Sequence, residues 1–256
     1  MNSKIFKLPQ FTAEVILPKQ YNETKLVVAG GRTPEIPWLQ EVAATKKLYC
    51  ADKGIEVCLK ANLVPTALFG DGDSGSKEAY EKAQALGTKV ESFPVEKDDT
   101  DLQLLLQNLE GSDLICTGVW GGRFDHLYSN VFSLLSYKEE HQAQVILADD
   151  KEAMLLVTAG EAVKLCLHKK VKALSLLPLS EVNKVTLKNV RWELEEAELK
   201  LLHPYAISNI PQDEFTNFDK NKVVIKDESV VDKIANLLIE NTQLYLELVG
   251  HIEFLL

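Results

Sequence analysis

No apolar run in the sequence approaches the length of a membrane span, so no transmembrane helix is expected. The first residues, Met1-Asn2-Ser3-Lys4-Ile5-Phe6-Lys7, have no apolar core of the kind a secretory signal carries, and the cytoplasm is the expected compartment. Cysteine is scarce. The 4 cysteines, at positions 50, 58, 116 and 166, include no Cys-x-x-Cys pair and stand in or beside apolar runs. That excludes a disulfide framework and points to buried free thiols in a reducing compartment. Basic charge is also short, with 28 Lys and Arg against 38 Asp and Glu and a net charge of −10. A nucleic-acid surface would carry a basic patch and is not expected. An anionic small molecule remains compatible, because a bound cation reverses the local sign. There is no Walker A loop, no kinase glycine loop, no repeat and no low-complexity segment. The common nucleotide-triphosphate folds are therefore set aside in favour of a site assembled from several strand ends.

What is present is an ordinary globular composition, 46% hydrophobic and 26% charged over 256 residues, enough for one large domain or two modest ones. Residues 1–24 show apolar residues without a clear period, broken by Pro9 and Pro18, and read as an N-terminal extension with at most one strand. Residues 25–150 alternate strand-like and helix-like segments. Strands are expected at Lys25–Ala29, Leu48–Ala51, Thr66–Phe69, Lys89–Phe93, Leu114–Thr117 and Val145–Ala148, with helices between them. This order calls for a mostly parallel, Rossmann-like sheet with helices on both faces. Residues 151–256 change character. Short β-like runs at Met154–Thr158, Val163–Leu167, Val171–Leu176, Lys184–Lys188, Glu198–Leu202 and Lys222–Lys226 predict an antiparallel sandwich or barrel. Val230, Val231, Ile234, Leu237 and Leu238 fit a helical face capped by Ser229, and Leu244–Leu256 is again strand-like.

The chemistry-bearing residues cluster just past the expected strand ends, which share one edge of a parallel sheet. Gly70-Asp71-Gly72-Asp73-Ser74 follows a buried strand, and its hard oxygen ligands suit Mg²⁺. Lys97-Asp98-Asp99-Thr100-Asp101 is a second acidic cluster. Thr100 or Asp99 is placed to cap the helix behind it, which accounts for some of the acids but not all. Gly121-Gly122-Arg123 is an open loop whose Arg presents a planar fork of donors to phosphate oxygens. Asp125 either orients Arg123 or caps a helix, and His126 sits near that helix start. Gly30-Gly31-Arg32 is a glycine turn with backbone N–H groups for an anion, or a plain strand-to-helix turn.

Taken in order, Ala51-Asp52-Lys53-Gly54, Gly70 to Ser74, Lys97 to Asp101 and Gly121-Gly122-Arg123-Phe124-Asp125-His126 resemble the motifs of the thiamin pyrophosphokinase family. Val190-Arg191-Trp192-Glu193-Leu194 and Ile207-Ser208-Asn209 resemble its thiamin-binding segments, and the similarity spans about residues 25 to 226. The resemblance implies an N-terminal α/β domain, a C-terminal β-sandwich that also dimerises, and a homodimer with active sites between subunits. It implies transfer of a pyrophosphoryl group from ATP to the hydroxyl of thiamin, with AMP leaving. Asp52, Asp71, Asp73 and Asp101 would hold Mg²⁺, and Asp71, Asp73, Asp101 and Arg123 would be catalytic. Gly30, Gly31, Arg32, Asp98 and Thr100 would bind nucleotide, together with Gly121, Gly122, Arg123, Asp125, His126 and Asn130. Trp192 would stack on thiamin beside Ser208 and Asn209. Two features depart from the family pattern: Lys53 stands where glycine is usual, and the glycine usual before Ser208-Asn209 is missing from His203-Pro204-Tyr205-Ala206. Other readings are a pyrophosphokinase of the same fold acting on another alcohol, such as a hydroxymethyl pterin, and a non-catalytic nucleotide- or thiamin-binding protein.

Overall fold

The computed structural model describes residues 2–17, 19–72, 75–94, 96–179, 181–203, 205–212, 222–227, 234–240 and 243–249. It divides into two compact units, Tyr21–Asp149 and the pair of segments Met1–Gln20 and Asp150–Leu256.

The expected N-terminal extension is a hairpin. Strand β1 (Asn2–Leu8) pairs antiparallel with β2 (Phe11–Leu17), in a register that sets Leu8 opposite Phe11. The period hidden in the sequence appears once the turn at Pro9-Gln10 is placed. Phe6 and Leu8 of β1 are buried, as are Phe11, Ala13, Val15 and Leu17 at every second position of β2. Pro9 ends one strand and admits the next.

The unit from Tyr21 to Asp149 alternates strand and helix. Its strands are β3 (Thr24–Val28), β4 (Leu48–Ala51), β5 (Ala67–Gly70), β6 (Lys89–Ser92), β7 (Asp113–Thr117) and β8 (Val145–Ala148). Its helices are α1 (Ile36–Ala43), α2 (Gly54–Lys60), α3 (Lys77–Ala85), α4 (Asp101–Gln107) and α5 (Phe124–His141). All neighbouring strands are parallel, in the order β8-β7-β3-β4-β5-β6. Strands β5, β7 and β8 are buried at every position, as expected where helices cover both faces. The order reverses at β3, with β4 on one side and β7 on the other, which opens a crevice at the carboxyl ends. Thr100 caps α4 in a reciprocal box with Gln103, so it is Thr100 and not Asp99 that caps.

The second unit is antiparallel. It contains β9 (Glu152–Thr158), β10 (Ala162–Leu167), β11 (Ser175–Leu176), β12 (Val182–Lys188), β13 (Leu194–Lys200), β14 (Lys222–Asp227), β15 (Ile234–Glu240) and β16 (Gln243–Val249). One sheet runs β1-β2-β10-β14-β12-β13, so the N-terminal hairpin joins β10 across more than a hundred residues of sequence. In a second group β15 lies between β9 and β16 and also meets β11. The helix read over 229–240 is corrected. Ile234, Leu237 and Leu238 lie in strand β15, where pairing with β9 on one edge and β16 on the other overrides the local helical spacing. Ser229, Val230 and Val231 lie outside the described residues, as does the expected strand beyond Val249. The run expected at Val171–Leu176 is strand only at Ser175 and Leu176.

Candidate active site

A cavity of about 590 Å³ opens at the carboxyl edge of the parallel sheet, lined by loops that follow β3, β4, β5, β6 and β7. Two of these loops are joined by their backbones. Gly31 N–H donates to the Gly118 carbonyl at 2.7 Å and Arg32 N–H to the Trp120 carbonyl at 2.5 Å. The approach demands glycine: a Cβ on Gly31 would stand 2.4 Å from both carbonyl oxygens. Within the expected anion-binding turn, the Gly31 and Arg32 N–H groups are thus already spent on the neighbouring loop. The Arg32 side chain is also engaged. Its Nε donates to Asp149 Oδ2 at 2.7 Å, and its guanidinium lies over the Trp120 ring. Arg32 is thus absent from the cavity lining, whereas Gly30 and Gly31 line it.

Asp52, Asp71 and Asp101 reach the same cavity from the ends of β4 and β5 and the start of α4. Asp52 has a left-handed backbone, φ 49°, at the sharp exit from β4, and its Oδ1 is buried without a hydrogen-bond partner. Burial raises the pKa of its carboxyl; the Lys53 N–H opposes this, and the charges of Asp101 and Asp71 add to the rise. Asp71 and Asp101 are held together by a lysine. Lys97 Nζ lies 2.7 Å from Asp71 Oδ2 and 2.9 Å from Asp101 Oδ1. Burial works to lower the Lys97 pKa, but hydrogen bonds to Asp71 and Asp101 and the charges of both aspartates together outweigh it, and the net shift is upward. Among the described residues no three His, Cys, Asp or Glu side chains are close enough to hold one ion. Asp73 and Ser74 lie outside the described residues.

The remaining expected nucleotide residues divide. Thr100, Gly121, Gly122, Arg123, His126 and Asn130 line the cavity. Asp98 is exposed away from it, and its neighbour Asp99 lines it instead. Asp125 is also away from the lining. It takes the orienting role and not the capping one, since both of its oxygens accept from the Arg123 guanidinium and no side chain caps α5. Asn130 Nδ2 donates to the Val119 carbonyl at 3.1 Å and so tethers the glycine loop to α5. Sequence reasoning missed Lys97, Asp99 and the pairing of Arg32 with Asp149. Only Lys97 left a local signal, its spacing of four from Asp101.

In the antiparallel unit Trp192 is 53% exposed, which removes it from the core, and the Arg191 guanidinium lies 4.8 Å from its ring centre. Asn209 is buried. Its Oδ1 accepts the N–H groups of Trp192 and Ile210, and its Nδ2 donates to the Trp192 carbonyl. Asn209 therefore anchors the loop that carries the indole. Ser208 adopts φ 60°, and its N–H is fixed by Ser175 Oγ at 2.8 Å.

Two family models match this chain. Residues 39–147 match the thiamin pyrophosphokinase catalytic domain, and residues 163–223 match the thiamin pyrophosphokinase vitamin B1 binding domain. The chain belongs to the thiamin pyrophosphokinase family. Thiamine pyrophosphokinase of Bacillus subtilis is 29% identical over 188 residues, which is 72% of this chain and 87% of that one. Thiamine pyrophosphokinase 1 of Arabidopsis thaliana is 26% identical over 194 residues, 72% of this chain and 68% of the other. The fold is shared with the Bacillus subtilis crystal structure at a TM-score of 0.71 and 22% identity, covering 85% of this chain and 99% of that one. It is also shared with thiamin pyrophosphokinase from Candida albicans at a TM-score of 0.67 and 15% identity, covering 94% and 99%. The catalytic-domain match of the thiamin pyrophosphokinase family takes in Asp52, Asp71, Lys97, Asp101 and Arg123. The vitamin-binding match takes in Trp192, Ser208 and Asn209.

Proposed function

We propose that the cavity at the sheet edge binds ATP with Mg²⁺ and that Trp192 receives the thiamin ring. The chain is an ATP-dependent diphosphotransferase that moves a pyrophosphoryl group from ATP to the thiamin hydroxyl, giving thiamin diphosphate and AMP. The observation that carries the assignment of the site is the convergence of Asp52, Asp71 and Asp101 on one cavity beside Arg123.

The donor set suits Mg²⁺. It consists of carboxylate oxygens from two loops and a helix start, and one of them, Asp52 Oδ1, is buried with no hydrogen bond to satisfy it. Asp52, Asp71, Asp73 and Asp101 are the residues proposed to hold the ion. When bound, Mg²⁺ neutralises phosphate charge and makes the phosphorus easier to attack. The protein's own task is positioning. Asp125 steers the Arg123 fork, which keeps further N–H groups to meet phosphate oxygens. The glycine loop lets the backbone come close to those oxygens, and Asn130 holds that loop in place. Asp71, Asp73 and Asp101 remain the proposed catalytic carboxylates. The Trp192 face already takes a cation, Arg191, and the thiazolium ring of thiamin is a cation of similar width.

The proposal extends to a β-sandwich for the antiparallel strands, a homodimer whose subunits share each active site, and a cytoplasmic location. No helix among the described residues is long and apolar enough to cross a membrane. A hydroxymethyl pterin acceptor and a non-catalytic sensor are not favoured, because the vitamin B1 binding model matches alongside the catalytic one. The test is AMP release from ATP. It is expected only with thiamin and Mg²⁺ both present. Release with a pterin alcohol in place of thiamin, or binding without release, overturns the assignment.

A further inference from the structure

The cavity already contains a cation of its own. Lys97 lies in the loop after β6, and its ammonium sits between one carboxylate from the loop after β5 and one at the start of α4, 2.7 Å from Asp71 and 2.9 Å from Asp101. The three side chains are largely out of water, at 16% exposure for Lys97, 9% for Asp71 and 14% for Asp101. One ammonium brings one positive charge and three donors, a partial answer to a site with several carboxylates. Asp52 lines the same cavity, and its buried Oδ1 stays without a hydrogen-bond partner. A divalent cation at this place would offer twice the charge to the same oxygens. An ammonium and a metal ion cannot both sit against Asp71 Oδ2 and Asp101 Oδ1, because their positive charges would repel at contact distance. Lys97 also lines the cavity, and its four-carbon stem lets the ammonium swing without leaving it.

We propose that Lys97 is a tethered counter-ion that holds the metal locus in the ligand-free protein and is exchanged for the divalent cation, its ammonium then turning to the phosphates. This inference rests on the reading of Asp52, Asp71 and Asp101 as the metal carboxylates. It makes Lys97 a positioning residue. Metal alone has to leave the ammonium without its partners, so metal alone binds weakly. Metal and phosphate together give every charge a partner, which couples the two ligands reciprocally.

Calorimetric titration of the full chain with Mg²⁺ alone, without nucleotide, tests the exchange. Lys97→Met keeps the length and removes the charge. It is expected to bind Mg²⁺ about tenfold more tightly than the unaltered protein, although it melts lower in chelator. Lys97→Arg keeps a cation in place and is expected to show no such gain. A purely structural lysine predicts the opposite, a Lys97→Met protein that binds Mg²⁺ equally or less well, and that result overturns the proposal. In the unaltered chain, amine labelling followed by mass spectrometry reads the same event. Lys97 should become more reactive when Mg²⁺ is added, and unchanged reactivity overturns the exchange even if Lys97→Met does not fold. Asp101→Asn separates the two levels of inference. If it leaves Mg²⁺ binding intact in both backgrounds, the metal site itself is misplaced. If it weakens binding while Lys97→Met fails to tighten it, the metal site stands and the exchange falls.

Discussion

Asn209 grips the main chain of Trp192 from both sides, accepting its N–H at 3.1 Å and donating to its carbonyl at 2.7 Å. A buried amide thus sets the position of an exposed indole. Asn209→Ala removes these two bonds and the one from the Ile210 N–H, and leaves half-buried backbone groups unpaired, a loss of about 1–3 kcal/mol. Melting should fall by several degrees, and the KM for thiamin should rise while that for ATP changes little. Trp192→Ala should raise the thiamin KM equally with almost no change in melting. Thermal melts and two-substrate kinetics on the pair check this. Unchanged thiamin KM in both variants removes the segment from the acceptor site.

Asp71 serves two partners, Lys97 now and the proposed metal later. Asp71→Asn keeps the shape of the side chain and should lower kcat by about a hundredfold or more, in line with the loss of a charge-stabilising group. Circular dichroism should show an unaltered fold. Mixing this variant with Trp192→Ala should restore part of the activity if subunits share sites, since a mixed dimer carries one undamaged site. Near-normal turnover in folded Asp71→Asn would exclude Asp71 from the chemistry.

Asp52 is expected to trade stability for function. Its carboxyl pKa is raised in the folded protein, chiefly by burial. The stability this gives is complete below the ordinary carboxylate range and is lost as pH rises through the raised value. At neutral pH and without metal the ionised group therefore works against the fold. Asp52→Asn should raise the melting temperature in chelator at pH 7, and the advantage should disappear on acidification below the usual aspartate pKa. The same variant should lose activity. A lower melting temperature at pH 7 would show that the buried charge is compensated.

Gly31 passes so close to the neighbouring loop that an alanine methyl would stand 2.4 Å from the Gly118 and Trp120 carbonyl oxygens. Both contacts are backbone, so the loops themselves have to shift. Gly31→Ala should cost about 1–3 kcal/mol, typical of overpacking. It should also raise the KM for ATP more than that for thiamin, because the cavity wall moves. Chemical denaturation and steady-state kinetics check both effects, and a neutral result would mean the two loops separate easily.

The alternation of strand and helix from residue 25 to 150 was legible because it is local. Each element carries its own period, and each acidic motif stands a few residues past a strand that announces itself as a short apolar run. The parallel sheet then brings Asp52, Asp71 and Asp101 to one edge, since strands that run the same way end on the same side. Chain order and strand direction alone sufficed for that step.

Other features depended on residues far apart in sequence. Nothing near Pro9 reveals that β2 pairs with β10, and the apolar spacing of Ile234, Leu237 and Leu238 suits a helix until β9 and β16 supply edge partners. The same holds for side chains. Arg32 looked ready for phosphate and is claimed by Asp149; Asn209, expected to shape the pocket around the indole, also holds the main chain of Trp192; Lys97, which had no role in the motif, stands between Asp71 and Asp101. Sequence by itself determined which residue types gather at the sheet edge, because strand direction carries them there. Only the tertiary structure decided which charges and donors already have partners, because a hydrogen bond or an ion pair is settled by distance in space and not by spacing along the chain.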